Sequence, residues 1–258
     1  MARTPLKTPE QIFNVYVLQS ENVRYLSKVK ANQLRELNNC IRDKDTFGLK
    51  AKTTMFALLY SAWSESQFVQ IQNTPNAFHP REIEDIQAET RAHGIVAGWK
   101  LLVDIAFSKV GDVNKNSDLQ KRHESILNKV KEIIEKESII RNKIAHGQWI
   151  NALNRKQSDE SPVTEKMEDL DYVQINRSFD IHKLLGVIIR DLVQSPKNGF
   201  HRNYWKNTQK LIDYSEQTKD YSVETKLLLL ENRPNNWFNK KTRKVFKPIS
   251  LNGNANCI

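Results

Sequence analysis

The sequence predicts an all-α fold, and three observations carry that expectation. Only 8 Gly and 8 Pro interrupt 258 residues, so few breakers divide the chain and long helices are expected. Apolar residues recur at three- and four-residue steps over long stretches, the period of a helix face. Strand-like alternation is short and confined to one region after residue 148. Hydrophobic residues make up 39% and charged residues 27%, a lean composition that still supports a core. The length suits one large domain, or a domain with an extension.

Taken in order, residues 1–20 read as an irregular or partly extended arm. Glu21 to Asp45 reads as a helix with Val23, Leu34, Leu37 and Ile41 apolar among many charges. Lys50 to Gln72 is a stronger helix, carrying Met55, Phe56, Leu58, Leu59, Trp63, Phe68 and Val69. Asn73-Thr74-Pro75-Asn76 is a turn. His79-Pro80 starts a third helix, with Pro in the first turn where its missing N–H costs nothing. That helix is expected to run to about Val110 with Gly94 and Gly98 inside it. Gly111 to Asn116 is a loop, and a fourth helix follows from about Ser117 to His146, with Gly147 in the left-handed position after a helix end. Trp149 to Asn154 and Tyr172 to Ile175 read as two strands of a small β-hairpin, and Arg155 to Leu170 between them as its exposed loop. Ile181 to Val193 is a fifth helix. Asn203 to Tyr214 and Ser222 to Leu230 are weaker ones, and Trp237 to Lys247 is a basic tail. This divides the chain into a helical domain over 1–195, its core at about 50–193, and a basic, partly helical extension over 196–258.

Composition also bounds function. Net charge is +10, which suits a polyanionic partner because Lys and Arg contacts to phosphate dominate nucleic-acid affinity. From Ser195 onward twelve Lys/Arg stand against five Asp/Glu, so this quarter carries +7 of the total. Two cysteines, Cys40 and Cys257, imply neither a disulfide framework nor a zinc site. No apolar run approaches the ~20 residues of a membrane span, and the polar start lacks a leader's apolar segment, so a cytoplasmic protein without membrane contact is expected. His79, His93, His123, His182 and His201 show no metal-ligand spacing. Neither a phosphate-binding glycine loop nor a serine-hydrolase or zinc-protease motif occurs, and no cofactor or metal is implied.

The run Arg141-Asn142-Lys143-Ile144-Ala145-His146-Gly147 closes the fourth helix. Histidine side chains exchange protons near neutral pH. Arginine stays charged and can grip a phosphate through two parallel hydrogen bonds. Together they suit attack of a ribose 2′-OH on its neighbouring phosphate without a metal, one group moving the proton and the other stabilising phosphoryl charge. A helix turns about 100° per residue, which sets Arg141 and His146 about 140° apart. They can converge on one phosphate only at a helix end, where the last turn can loosen. A structural reading fits the spacing as well: Arg141 paired with Glu137, and His146 capping its own helix.

The row Ile126, Val130, Ile133, Ile134 continues to Glu137 and Arg141, placing two charges at the edge of an apolar face. On the second helix Leu58, Ala62, Glu65 and Val69 form a row in which Glu65 is the only charge. Glu65 is therefore expected either to face the fourth helix and orient Arg141 or His146, or to reach solvent as a boundary residue. Trp63 and Trp99 lie in apolar rows and read as core. Near the C-terminus Arg202, Tyr204, Trp205 and Lys206, then Trp237, Phe238, Lys240, Lys241, Arg243, Lys244, Phe246 and Lys247, interleave aromatics with cations. That pattern suits single-stranded RNA, and equally a solvated tail whose aromatics dock on the body.

The string from Arg141 to Gly147 resembles the Arg-x4-His signature of the HEPN superfamily, helical domains that include many metal-independent ribonucleases. The resemblance covers residues 141–147 in sequence and about Lys50 to Val193 in helix order; the 148–178 segment and the C-terminal quarter lie outside it. It implies a HEPN-like helical bundle, here with the β-hairpin and the basic extension added. It carries over Arg141, His146 and the polar Asn142 between them as catalytic residues, with Glu65 added from the row argument. It further implies a homodimer pairing two Arg141–His146 motifs in one composite site, since the reaction needs both a base and an acid. The expected function is a metal-independent endoribonuclease leaving a 2′,3′-cyclic phosphate, acting on tRNA or mRNA in toxin–antitoxin or anti-phage defence, with an antitoxin or sensor protein as regulator. Lys143, Arg202, Trp205, Lys206, Lys240, Lys241, Arg243 and Lys244 are the expected RNA contacts. The alternatives are a non-catalytic RNA-binding or adaptor HEPN module, and a helical scaffold whose signature is structural.

Overall fold

The computed structural model describes residues 6–197 and 199–231, with backbone alone at 199–202, 230 and 231. The elements are α1 (Pro9–Asp43), α2 (Thr46–Gln72), α3 (Pro80–His93), α4 (Ile95–Ser108), α5 (Ser117–Val130), a wide π turn (Lys131–Glu135), α6 (Lys136–Ala145), α7 (Val163–Glu168), α8 (Tyr172–Gln194), α9 (Gly199–Gln217) and α10 (Val223–Glu231). The fold is all-α, and among the described residues no helix is long and apolar enough to cross a membrane.

The first helix begins twelve residues before Glu21, which corrects the expectation of an arm over residues 1–20. Thr8 accepts from Gln11 N at 3.2 Å while the Gln11 side chain accepts from Thr8 N at 2.9 Å, and Pro9 follows the cap. This is a reciprocal capping box, which satisfies two N–H groups that a helix start leaves unpaired. Helix α1 reverses into α2 at Lys44, which adopts φ 56°. Asp45 then caps α2 by accepting from Gly48 N at 2.8 Å. The two helices run antiparallel, tied by Trp63 Nε1 to Ser27 Oγ (3.2 Å) and Gln70 Nε2 to Ser20 Oγ (2.9 Å).

The expected third helix is two helices. Gly94 takes φ 90° and ψ 173°, a conformation essentially limited to glycine, and the chain turns there between α3 and α4. Gly98 keeps the pair close: a Cβ on it would lie 2.0 Å from Thr90 Oγ1. The β-hairpin is also corrected. No strand occurs among the described residues, and the region holds one isolated bridge, Leu153 to Glu160. Its expected loop contains α7, and its expected second strand is the first turn of α8. The β-prone run Tyr172-Val173-Gln174-Ile175 is overridden by Asp171, whose Oδ1 accepts from Val173 N (2.6 Å) and Gln174 N (3.3 Å). The fifth helix therefore starts nine residues before Ile181.

Two apolar clusters share the interior. One gathers Phe68, Ile71, Trp99, Phe107, Ile126 and Ile189. The other gathers Leu37, Phe56, Tyr60, Trp63, Ile140, Ile144 and Phe179. Tyr204 and Leu211 of α9 are buried in the first cluster, so this part of the basic C-terminal region packs into the body. Arg177 of α8 holds α9 through Thr218 Oγ1 and the Ser215 carbonyl, both at 3.0 Å. The basic tail expected over Trp237–Lys247 lies outside the described residues.

His182 sits where the clusters meet, fully enclosed among the rings of Tyr60, Trp63 and Trp99 at 5.9, 5.2 and 5.1 Å. Its Nδ1 shares a 3.1 Å hydrogen bond with the Tyr60 hydroxyl, which also donates to the carbonyl of Ile133 at 3.0 Å. If His182 holds its proton on Nδ1, both contacts are satisfied and Nε2 is left as an enclosed acceptor without a donor among the described residues. Burial pushes His182 down to about 3, against about 6.5 in an unfolded chain. The stability held by the neutral ring is complete above the unfolded value and is lost as pH falls toward 3. The wild type is expected to lose stability relative to His182→Gln at roughly 1.4 kcal/mol per pH unit below about 6.5. Paired thermal or urea denaturation across that range checks it, and parallel pH dependences would contradict it.

Candidate active site

The signature closes α6 as the sequence requires. Gly147 lies at φ 79°, Gly147 N donates to the Ile144 carbonyl and Gln148 N to the Lys143 carbonyl, each at 3.0 Å. These are the two bonds of a Schellman ending, which needs a left-handed residue after the cap. His146 is that cap, at φ −92° and ψ 19°. Its backbone N–H bonds to Asn142 and Lys143 carbonyls, while its side chain is exposed.

Arg141 reaches across to α2. Its Nη2 meets Glu65 Oε1 of α2 at 2.7 Å, so the expected approach of Glu65 to the fourth helix is observed and the Arg141–Glu137 pair is not. The apolar row assigned to Glu65 is nevertheless half-exposed. The buried face of α2 is Phe56, Ala57, Tyr60, Trp63, Ser64, Gln67, Phe68 and Ile71, and Glu65 stands at its margin. Arg141 and Glu65 line one cleft with Tyr60, Ser61, Ser64, Ile95, Ile134, Glu137 and Ser138.

Glu137 is the residue that sequence reasoning passed over as a site group. It was visible as a charge at the edge of the apolar row, one turn before Arg141. Its Oε2 is enclosed without a hydrogen-bond partner among the described residues, and so is Arg141 Nε. Desolvation pushes its carboxyl up to about 7, with Lys136 opposing. A carboxyl so placed is divided between its two forms near neutral pH.

The remaining expected residues separate. Asn142 is exposed, on the same terminal turns as His146. Lys143 donates to the Leu153 carbonyl, and Leu153 N donates to Gln148 Oε1 at 2.8 Å. The Lys143 ammonium thus anchors the loop after the helix rather than projecting freely as expected for an RNA contact. Trp149 and Ile150 on that loop are 41% and 66% exposed, three and four residues past His146. Trp205 is exposed above the Arg122 guanidinium, 4.3 Å from ring centre to Cζ, and Lys206 is exposed. The side chain of Arg202, and Lys240, Lys241, Arg243 and Lys244, lie outside the described residues. Among the described residues no group of three His, Cys, Asp or Glu is placed to hold a metal ion.

Compared with family descriptions, curated proteins and solved structures, the chain gives no match.

The Arg141 and Glu65 side chains are 31% and 45% exposed, a setting in which an ion pair contributes about 0–1 kcal/mol. Glu65→Gln is therefore expected to lower unfolding free energy by less than about 1 kcal/mol, read as a small shift of the urea midpoint at unchanged slope. A loss of several kcal/mol would make the pair a structural brace.

Proposed function

We propose that this chain is a HEPN-type, metal-independent endoribonuclease whose half-site is the end of α6. The observation that carries the reading is a division of labour over six residues. Arg141 is held by Glu65 at 2.7 Å, while Asn142 and His146 stand exposed at the helix end with no side-chain hydrogen bond among the described residues. A fixed cation beside uncommitted polar groups suits a phosphodiester: the cation meets developing phosphoryl charge and the imidazole moves the proton.

In this reading His146 takes the proton of a ribose 2′-OH. The 2′-oxygen bonds to phosphorus, and the bond from phosphorus to the 5′-oxygen breaks. Arg141 stabilises the oxygens that carry the added charge, and Asn142 helps place the phosphate. The leaving 5′-oxygen needs a proton, and one half-site has one histidine. A second copy, related by a two-fold axis, supplies the other. Ile139 on α6, and Trp149 and Ile150 just past its end, are exposed and offer apolar surface for such a partner to cover. The products are a 2′,3′-cyclic phosphate and a 5′-hydroxyl. The net charge of +10 suits RNA as substrate. A role in toxin–antitoxin or anti-phage defence, with an antitoxin or sensor as regulator, is the biological setting we favour.

Wild-type protein is expected to cut RNA in excess chelator and to leave DNA of the same sequence intact. His146→Ala is expected to abolish cutting while RNA affinity stays within about two- to threefold, and Arg141→Lys to be severely impaired because a point charge cannot replace the planar fork. End-group analysis and filter binding check these outcomes. Loss of cutting on chelation, or equal cutting of DNA, would overturn the mechanism; RNA binding with no cutting under any condition would favour the non-catalytic adaptor.

A further inference from the structure

Arg141 shares one cleft with two carboxylates. Glu65 of α2 holds Nη2. Glu137, one turn earlier on α6, lines the same cleft. The cleft contains one enclosed acceptor without a donor, Glu137 Oε2, and one enclosed donor without an acceptor, Arg141 Nε. These two side chains are four residues apart on one helix, a spacing at which acidic and basic groups reach each other.

The other groups facing Glu137 do not satisfy it. From α2 come Tyr60, whose hydroxyl is directed to Ile133 and His182, Glu65, already on Arg141, and the neutral hydroxyls of Ser61 and Ser64. From α4 comes the apolar Ile95. On its own helix are Lys136, Ser138 and Arg141. An enclosed carboxylate without a donor is unfavourable, so while Glu137 keeps its proton, Arg141 rests on Glu65 alone. Once ionised, its cationic donor in the cleft is Arg141, whose enclosed Nε–H is open.

We propose that Glu137 is the positioning residue for Arg141: on releasing its proton to solvent it accepts the Nε–H and, with Glu65 on Nη2, fixes the plane of the guanidinium. Held from two sides, the fork presents its outer N–H groups in one orientation, which the planar geometry of phosphate recognition requires. The consequence for cleavage rests on the ribonuclease reading above; the side-chain movement does not. Burial places the ionisation near 7, so positioning strengthens as pH rises through neutrality.

The test follows the Nε–H resonance of Arg141 in full-length ¹⁵N-labelled protein, assigned by its loss in Arg141→Lys. The titration runs between about pH 5.5 and 8.5, to bracket an ionisation near neutrality. The resonance is expected to shift, and its exchange with water to slow, with a midpoint near 7. The transition is expected to persist in His146→Ala and Glu65→Gln and to vanish in Glu137→Gln. Glu137→Asp keeps the charge but shortens the reach, and is expected to lose most of the shift. A flat wild-type titration, or an unchanged midpoint in Glu137→Gln or Glu137→Asp, would overturn the proposal. In parallel, the RNA cleavage rate is expected to rise through the same midpoint in wild type and to lose that step in Glu137→Gln. A titrating Nε–H in a protein that cuts no RNA would support the positioning and sink the ribonuclease reading instead.

Discussion

The hydroxyl of Tyr60 ties three elements together at one point. It belongs to α2, donates to the Ile133 carbonyl in the π turn, and meets His182 Nδ1 of α8. A π turn leaves its backbone groups less well matched than an α-helix does, and such turns persist where something else holds them. Here the hold is a buried hydrogen bond, and losing the partner of a buried carbonyl costs about 1–3 kcal/mol. Because α6 continues directly from the π turn, fixing Ile133 fixes where α6 emerges. Glu137 and Arg141 then enter the cleft beside Glu65, and His146 is left at the exposed end.

Stability and orientation are carried by different residues. The interior gains from the rings around His182 and from the two apolar clusters that meet there. The Arg141–Glu65 pair is half-exposed and contributes little to folding, but it aims a cation. Glu137 is the reverse case, a group whose burial works against its charge. Acid affects His182 and Glu137 oppositely. His182 must gain a proton it resists, whereas Glu137, raised in the folded chain, favours folding below its unfolded range and loses that contribution as pH rises through about 7.

Periodicity made the helices legible, and local chemistry set their ends. The α2 helix and the long run from Ser117 to His146 stand out by their apolar steps. The start of α1 was encoded by Thr8-Pro9-Glu10-Gln11, a capping box outweighed by the polar composition around it. Gly94 was visible as a glycine, but its positive φ depends on α3 and α4 folding back on one another. Asp171 was a cap in plain sight, obscured by the aromatic and β-branched residues after it. The meeting of Glu65 with Arg141 was legible because Glu65 alone interrupted its row and Arg141 stood at the edge of the other. The unpaired state of Glu137 was not, because it depends on what the other helices fail to offer. The anchoring of Lys143 to Leu153 was hidden for a similar reason: it arises from a loop whose irregular path no period describes.

We propose that the end of α6 is half of a site completed by a second copy. Mixed dimers of wild-type and His146→Ala subunits test it most directly. If one histidine serves as base and the other as acid, the purified heterodimer should cleave RNA at no more than a few per cent of the wild-type rate, general acid–base groups being worth about 10²–10⁴-fold each. A heterodimer that retains about half the activity of the wild-type dimer, the result for two independent sites, would contradict it.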